Sequence, residues 1–577
     1  MRRLNSWRAL VTGAVAVCAG AVMAQTPPPS APVTPGRIVP TPLELAPRPA
    51  VPPTDAANLP RIEPRAVPRE LGKPDEELRL DVRRYVVADS APLKLRQRLA
   101  ELTAPYVGAG RGYEDIVNAA AEVTRFLQSE LGYYLGYAYI PEQDPKDGVV
   151  QIAVLEGRLD RVVLKWPEGL PVQKDVVEAY LSLLAPGSIL TVRDVERVVF
   201  LVNDLRGMSA RFDVEAGREP GTATIVVTPA PESRWGAQIE ADGNGSQYLG
   251  VYRLGALASY NNLLGRGDGF TVNGLASTTG GLQFLMASYI SPVGGSGLKL
   301  GATISGLKYK LDESTFPQDV HGDSYAATLD AVYPYIRSRN LNLFTLASLQ
   351  AKQYNDTVST IQVDKSIRNI VLGAAGDFRD ALLSGGVSTY ELSAAYGNVQ
   401  INGKRPDGLI DSPTYTKIKA GYARLQNVVT GKMLVYMRLS GQWGLDNLDN
   451  TEQFVLGGAD GVRAYGPGEG LGDSGLLATV EMRFIPPDEW FGRAAREVAF
   501  GVFYDWGGFR RRHDASAEPI EFANTGSLGG PGLSATWVRL GQFSMRLSLA
   551  WPTLGTPVSE PVARNPRVYF QLTKYFS

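Results

Sequence analysis

Phe543-Ser544-Met545-Arg546-Leu547-Ser548-Leu549-Ala550-Trp551 is the stretch on which the fold turns. Phe543, Met545, Leu547, Leu549 and Trp551 fall on one face of an extended chain, and Ser544, Arg546, Ser548 and Ala550 on the other, because successive strand side chains point to opposite sides. The pattern recurs upstream, where Val435, Met437, Leu439 and Trp443 alternate with Tyr436, Arg438, Ser440 and Gln442. It returns at the carboxyl end in Val568, Phe570, Leu572 and Phe576. After Pro231 the chain is a succession of short alternating segments separated by Gly, Asn, Asp and Ser, with helical periodicity nearly absent. Alternation alone fits two architectures. In a secreted soluble all-β protein the polar face meets outside water; in an outer-membrane barrel it lines a wet lumen while the apolar face meets lipid.

The amino terminus separates them in part. Arg2, Arg3 and Arg8 precede an apolar run from Ala9 to Ala21, and Val22-Met23-Ala24 supplies small residues for cleavage, which predicts a signal peptide over 1–24 and Gln25 as the first mature residue. The apolar run is shorter than the roughly 20 residues of a spanning helix, and bulky Val17 before Cys18 argues against a lipid-modified cysteine. Trp443, Trp506 and Trp551, read as strand-end aromatics, add the girdle expected of a membrane barrel. Residues 233–577, at roughly 20 to 22 residues per strand and connection, make about 16 strands. The fold expected is a transmembrane antiparallel β-barrel in the outer membrane of a Gram-negative bacterium, surrounded by outer-membrane lipid.

Charge and composition exclude other classes. Lys+Arg 58 against Asp+Glu 59, with no basic run, leaves no electrostatic footprint for nucleic acid. Cys18 is the only cysteine, and His321 and His513, the only histidines, both sit in polar, turn-rich sequence, so no catalytic residue, metal site or cofactor is expected.

Ahead of the barrel, 25–76 is a proline-rich linker. Between Pro27 and Pro74 the longest proline-free run is Thr54 to Leu59, which forbids a lumen-spanning helix and favours an extended tether. Two small α/β units follow, at 77–157 and 158–232. In the first, Leu78, Leu80 and Val82 alternate as a strand, Ile116, Ala120, Val123, Leu127 and Leu131 repeat at helical spacing, and Val149 to Leu155 reads as a short strand. In the second, Val162 to Leu164, Phe212 to Val214 and Thr224 to Val227 read as strands. Thr191 with Asp194 caps a helix whose apolar face is Val195, Val198, Val199 and Val202.

At this point particular motifs resemble a known family, the two-partner-secretion transporters that export haemolysins and filamentous haemagglutinins. Gly136-Tyr137-Ala138-Tyr139-Ile140-Pro141-Glu142-Gln143 with Asp147 to Gly157 is similar to the first polypeptide-transport-associated (POTRA) domain of that family, and Leu201 to Gly207 to the second. Asn262-Leu263-Leu264-Gly265-Arg266-Gly267-Asp268 and Tyr289-Ile290-Ser291-Pro292 are similar to the opening of its barrel. The most specific match is Phe454 to Gly475, with Gly457, Gly458, Val462, Arg463, Tyr465, Gly472 and Asp473, which resembles the long sixth extracellular loop that folds back into the pore. Ala464 stands where the family has glycine. The resemblance implies that Arg463 meets Asp505 of the Phe503-x-Asp505-x-Gly507 strand. Strand parity agrees: if Val498, Phe500, Val502, Tyr504 and Trp506 face lipid, Asp505 faces the lumen.

The resemblance further implies that the POTRA units bind an unfolded partner exoprotein, by adding its strand to a sheet edge, and pass it through the barrel for secretion, with or without activation. A haemolysin, an adhesin, a contact-dependent toxin and a haem-scavenging protein all remain open as cargo. It also implies biogenesis through the barrel-assembly machinery and periplasmic chaperones, with Phe570, Leu572 and Phe576 as insertion signal. The alternative within the superfamily is a barrel-assembly type insertase.

Three tempting motifs carry little. Gly470 to Gly475 fits a dinucleotide pattern but precedes a strand, not a helix. Its Gly-Asp-Ser-Gly core lacks a suitably placed histidine for a triad. Arg266-Gly267-Asp268 falls in a turn on the periplasmic side.

Overall fold

A computed structural model of the chain describes residues 61–62, 70–72, 79–402, 411–516, 523–558, 560 and 564–576. The signal peptide and nearly all of the proline-rich segment lie outside the described residues. Sixteen antiparallel strands close into a barrel. The first, Trp235–Asp242, pairs with the last, Arg567–Phe576, placing Ala237 opposite Phe576 and Asp242 opposite Gln571. Closure satisfies the backbone groups that an open sheet edge would leave bare in lipid. No helix among the described residues is long and apolar enough to cross a membrane; the strands do so. Ile239, Leu254, Ile304, Leu372 and Val502 stand exposed on the outer wall, the arrangement that lipid stabilises and water does not.

The barrel is uneven. Its first two strands have 8 and 9 residues, whereas Val320–Arg337, Leu341–Val358, Ile361–Asp380 and Gly386–Asn402 have 18, 18, 20 and 17. Their periplasmic ends lie at the rim that holds the second α/β unit, where Arg337 meets Asp204 and Asn342, so their extra length rises on the outer side.

Parity in the strand Val498–Arg510 follows the sequence reading from Phe500 to Asp505, but two details differ. Val498 is buried, because the short helical connection Gly492–Glu497 folds under the strand end and packs Ala495 there. Trp506 lies well inside the strand and is no strand-end aromatic. In the last strand, Leu572 and Phe576 are exposed outward and Phe570 packs against Tyr252. Replacing Phe576 by Ser is expected to lower the amount of inserted barrel, as read by heat-modifiable migration in outer-membrane fractions; an unchanged level would remove its signal role.

The second α/β unit is a sheet in the order Arg61–Ile62, Met208–Ala216, Thr222–Pro231, Arg158–Leu164, covered by the helices Lys174–Leu181 and Val192–Asn203. The Asp194 amide donates to Thr191 Oγ1, capping the second helix, and Val195, Val198, Val199 and Val202 are buried against the sheet. Each such side chain contributes about 1.5–3 kcal/mol. The first unit buries Ile116, Ala120, Val123 and Leu127 from the helix Tyr113–Ser129.

Several local features depart from the sequence reading. The helices Leu93–Thr103 and Lys174–Leu181, of 11 and 8 residues, are not marked in the sequence reading, being short runs on which few turns of a helical period can show. Leu131 falls beyond its helix, which ends at Ser129. Val149 to Leu155 is broken at buried Ile152: Val149–Gln151 pairs in parallel with Arg84–Val86, and Ala153–Leu155 antiparallel with Tyr137–Tyr139. The linker is also more than a tether, since its Arg61–Ile62 joins the second sheet as a parallel edge strand opposite Asp213 and Val214. One edge of this sheet is therefore partly occupied.

The second unit is fastened to the periplasmic rim. Arg337 donates to both oxygens of Asp204 at 3.0 and 2.8 Å and to Asn342 Oδ1 at 3.0 Å, with its guanidinium over Phe200. Arg197 donates to the carbonyl of Pro334 at 2.7 Å and that of Ser296 at 3.1 Å. The Arg266-Gly267-Asp268 turn serves the same junction. Asp268 accepts the amides of Leu263, Leu264 and Arg266, while the carbonyls of Gly265 and Gly267 accept from Gln173 and Arg206. Gly267 has φ +73°, and a Cβ there would meet Leu205 at 2.8 Å, so this close approach requires glycine.

Candidate functional site

Between the strands Met433–Gly444 and Ser474–Phe484 the chain leaves the wall and folds back into the lumen. At its root, Asp473 gathers both ends of the loop. Its carboxylate accepts the Leu448 amide at 3.2 Å, Gln453 Nε2 at 2.6 Å and the His513 amide at 2.8 Å. Gly472 passes so close to the next hairpin that a Cβ would stand 2.4 Å from the Arg510 carbonyl.

The descending part is held by turn geometry. Gly457 bridges to Val462, the Gly458 amide donates to the Tyr465 carbonyl, and Gly458 has φ +126°, a conformation that excludes most side chains. Leu456, Val462, Ala464 and Tyr465 form an apolar knot with Phe503, Leu528 and Ala550 of the wall. Ala464 fits because Gly530 faces it: a Cβ on Gly530 would come within 3.0 Å of the Ala464 methyl. Gly507 plays the matching part for Leu456, whose Cδ2 would lie 2.6 Å from an added Cβ.

At the tip, Arg463 is locked to the wall. Its Nε and Nη2 donate to the two oxygens of Asp505 at 2.8 and 3.0 Å, and its amide donates to Asp505 Oδ2 at 3.1 Å. Nη1 donates to Glu481 at 3.0 Å, and the guanidinium lies 3.2 Å from the Phe503 ring centroid. Asp505 is 0% exposed and also accepts from Thr479 Oγ1. A forked guanidinium matched to a carboxylate in a confined lumen is among the stronger polar contacts available to a protein. Tyr465 extends the hold: its hydroxyl donates to the carbonyl of Leu554 at 2.6 Å, and Tyr569 Oη donates to the Tyr465 carbonyl at 2.7 Å.

The structure thus brings together Gly457, Gly458, Val462, Arg463, Tyr465, Phe503, Asp505 and Gly507. Gly472 and Asp473 stand apart at the root, and Phe570, Leu572 and Phe576 belong to the last barrel strand, outside this cluster. Sequence reasoning missed Glu481 and Thr479, although both are polar residues of inward parity on the strand next to Asp505.

It also missed a second set of contacts on another part of the wall. Loop residue Glu452 sits between Lys352 and Lys417, with Nζ to carboxylate distances of 2.6 Å each, and Lys365 reaches Asp449 at 3.2 Å. Burial alone would raise the Glu452 pKa, but Lys352 and Lys417 outweigh it and hold the carboxyl below its ordinary value. At Asp473, burial prevails over its hydrogen bonds and raises the pKa.

A closed sixteen-strand barrel with two POTRA-like units beneath it and an inward loop locked by arginine and aspartate defines an outer-membrane polypeptide transporter. The profile of the haemolysin secretion/activation protein family ShlB/FhaC/HecB matches residues 221–530, and that of the ShlB-type POTRA domain matches 80–157. The chain belongs to this family, the outer-membrane transporters of two-partner secretion, with its POTRA domains in the periplasm. It is 24% identical over 460 residues to the heme/hemopexin transporter protein HuxB of Haemophilus influenzae, covering 79% of this chain and 80% of that protein. It is 25% identical over 349 residues to the outer membrane transporter CdiB of Escherichia coli, covering 58% and 57%. In fold, CdiB from Escherichia coli superposes with a TM-score of 0.66 at 20% identity, over 89% of this chain and 94% of that one. BamA from Haemophilus ducreyi lacking POTRA domains 1–3 gives 0.51 at 12% identity, over 86% and 100%.

Proposed function

We propose that this protein captures one unfolded exoprotein at its POTRA units and threads it through the lumen once the loop at Arg463 withdraws. The observation that carries the reading is the locked loop: it folds into the lumen, yet polar contacts and apolar clusters about Leu456 and Leu448 hold it, with no covalent tie. Phe454 to Gly475 is then the moving obstruction, and Phe503, Asp505 and Gly507 form its seat. Folding of the cargo outside would draw the remainder through without nucleotide.

Capture by strand addition is supported by Arg61–Ile62, which shows that the Met208–Ala216 edge accepts an extended segment. The cargo would pair along the same edge, taking the place of that short strand. Haemolysin, adhesin, contact-dependent toxin and haem-scavenging protein all stay open as the cargo.

Deleting either unit, residues 78–157 or 158–227, is expected to abolish binding of a cargo amino-terminal fragment. Unchanged binding by the truncated periplasmic region, measured in solution, would refute the capture role.

A further inference from the structure

The loop root carries two carboxylates into a pocket of three wall lysines. Lys352 lies on Leu341–Val358, Lys365 on Ile361–Asp380 and Lys417 on Thr414–Val429, all in the outer part of the barrel. All three are buried, as are Asp449 and Glu452. Beyond the contacts to carboxylates, Lys417 donates to the Glu452 carbonyl at 2.7 Å and Lys365 to Asn450 Oδ1 at 2.9 Å. Leu448, just before these acids, is buried among Tyr354, Ile367, Val399 and Tyr415. This grip is on a different part of the wall from the Arg463 lock, which uses Ser474–Phe484 and Val498–Arg510.

Charge bookkeeping gives the grip a second meaning. With the loop in place, three ammonium groups face Asp449, Glu452 and Asp356, the last 3.9 Å from Lys365. When the loop withdraws, Asp449 and Glu452 leave with it, and the wall keeps the three lysines with Lys419 near Lys417, against Asp356 with Asp323 near it. Lysine has three donors and no acceptor, so each needs an anionic or carbonyl partner once its own is gone. In a narrow lumen with low-dielectric walls, such an uncompensated cluster attracts anions strongly.

We propose that Lys352, Lys365 and Lys417 form a carboxylate-binding site that the loop's Asp449 and Glu452 fill at rest and that acidic side chains of the passing polypeptide fill during export. The site is both a second latch on the loop and a foothold for the cargo, which opens the latch by substitution. This rests on the loop withdrawing, as proposed above, but its test uses homopolymers in place of the cargo and reads pore opening, not capture by the periplasmic units. Failure here would therefore leave POTRA capture untouched.

The experiment is single-channel recording of the full-length protein in planar bilayers, with short poly-glutamate, poly-glutamine or poly-lysine added from the periplasmic side. Poly-glutamate is expected to prolong the open state several-fold, and the other two to leave it unchanged. In Glu452→Gln, which removes the resting occupant, openings should be more frequent and poly-glutamate should act at lower concentration. In the triple variant Lys352→Gln, Lys417→Gln, Glu452→Gln the response should vanish. Equal effects of poly-glutamate and poly-glutamine on the unmodified protein would overturn the proposal. So would an undiminished response in the triple variant. If the triple variant yields no heat-modifiable barrel, Glu452→Gln decides alone: a response that is unchanged or weaker than that of the unmodified protein overturns the proposal.

Discussion

Arg463→Ala and Asp505→Ala are each expected to cut export of the cognate exoprotein by an order of magnitude or more while leaving a heat-modifiable barrel in the outer membrane. The two residues meet through three hydrogen bonds, and Asp505 is fully buried in the lumen. Removing one partner of a buried ion pair leaves the other desolvated and costs about 3–5 kcal/mol. That cost falls on the seated loop, and the lipid-facing shell of Ile239, Leu254 and Val502 takes no part in it. Asp505→Ala additionally strands Thr479, and Arg463→Ala leaves Glu481 with Arg483 and Ser534 as partners. Export at the unmodified level in both variants, measured as cargo in the culture supernatant against barrel in the membrane, would show that the pair has no part in transport.

Deleting Phe454 to Gly475 should raise pore conductance several-fold, whereas deleting Thr26 to Lys73 should change it little. Leu456, Val462 and Tyr465 of the loop are buried against the wall, so the loop occupies lumen that water would otherwise fill. The prolines between Pro27 and Pro74 are the reason for expecting no helical plug from that segment. Crossing about 30 Å takes roughly 20 residues at a 1.5 Å rise, and each interior proline costs about 3 kcal/mol. Of its described residues, Arg61–Ile62 lie on the sheet of the second α/β unit and Glu70 bridges to Pro141 of the first. Current records of the two deletions in planar bilayers decide the matter: a large rise on deleting only residues 26–73 would overturn this view.

The parts of the fold legible in the sequence were those governed by short-range periodicity. Two-residue alternation marked the strands around Phe543 and Val498, and the spacing of Val195, Val198, Val199 and Val202 marked a helix. The same arithmetic put Asp505 inside the barrel. What escaped depends on partners far apart in the chain. Glu481 joins the site only because its strand lies beside that of Asp505 in a particular register. Glu452 meets Lys352 across 100 residues, and Arg337 meets Asp204 across 133, so nothing local announces either pair. Arg61–Ile62 is too short to show a period at all, and its strand character comes from the edge it lies against.

The inequality of the strands has its own consequence at the cell surface. A strand of 18 to 20 residues at about 3.3 Å per residue and a tilt near 40° climbs roughly 45–50 Å, against an apolar band about 25 Å tall. The hairpin built on Leu341–Val358 and Ile361–Asp380 consequently stands above the lipid as a parapet, while the seam between the first and last strands stays low. A polypeptide leaving the mouth meets a wall on one flank and open water on the other, so the space in which it first folds is sheltered on one side only.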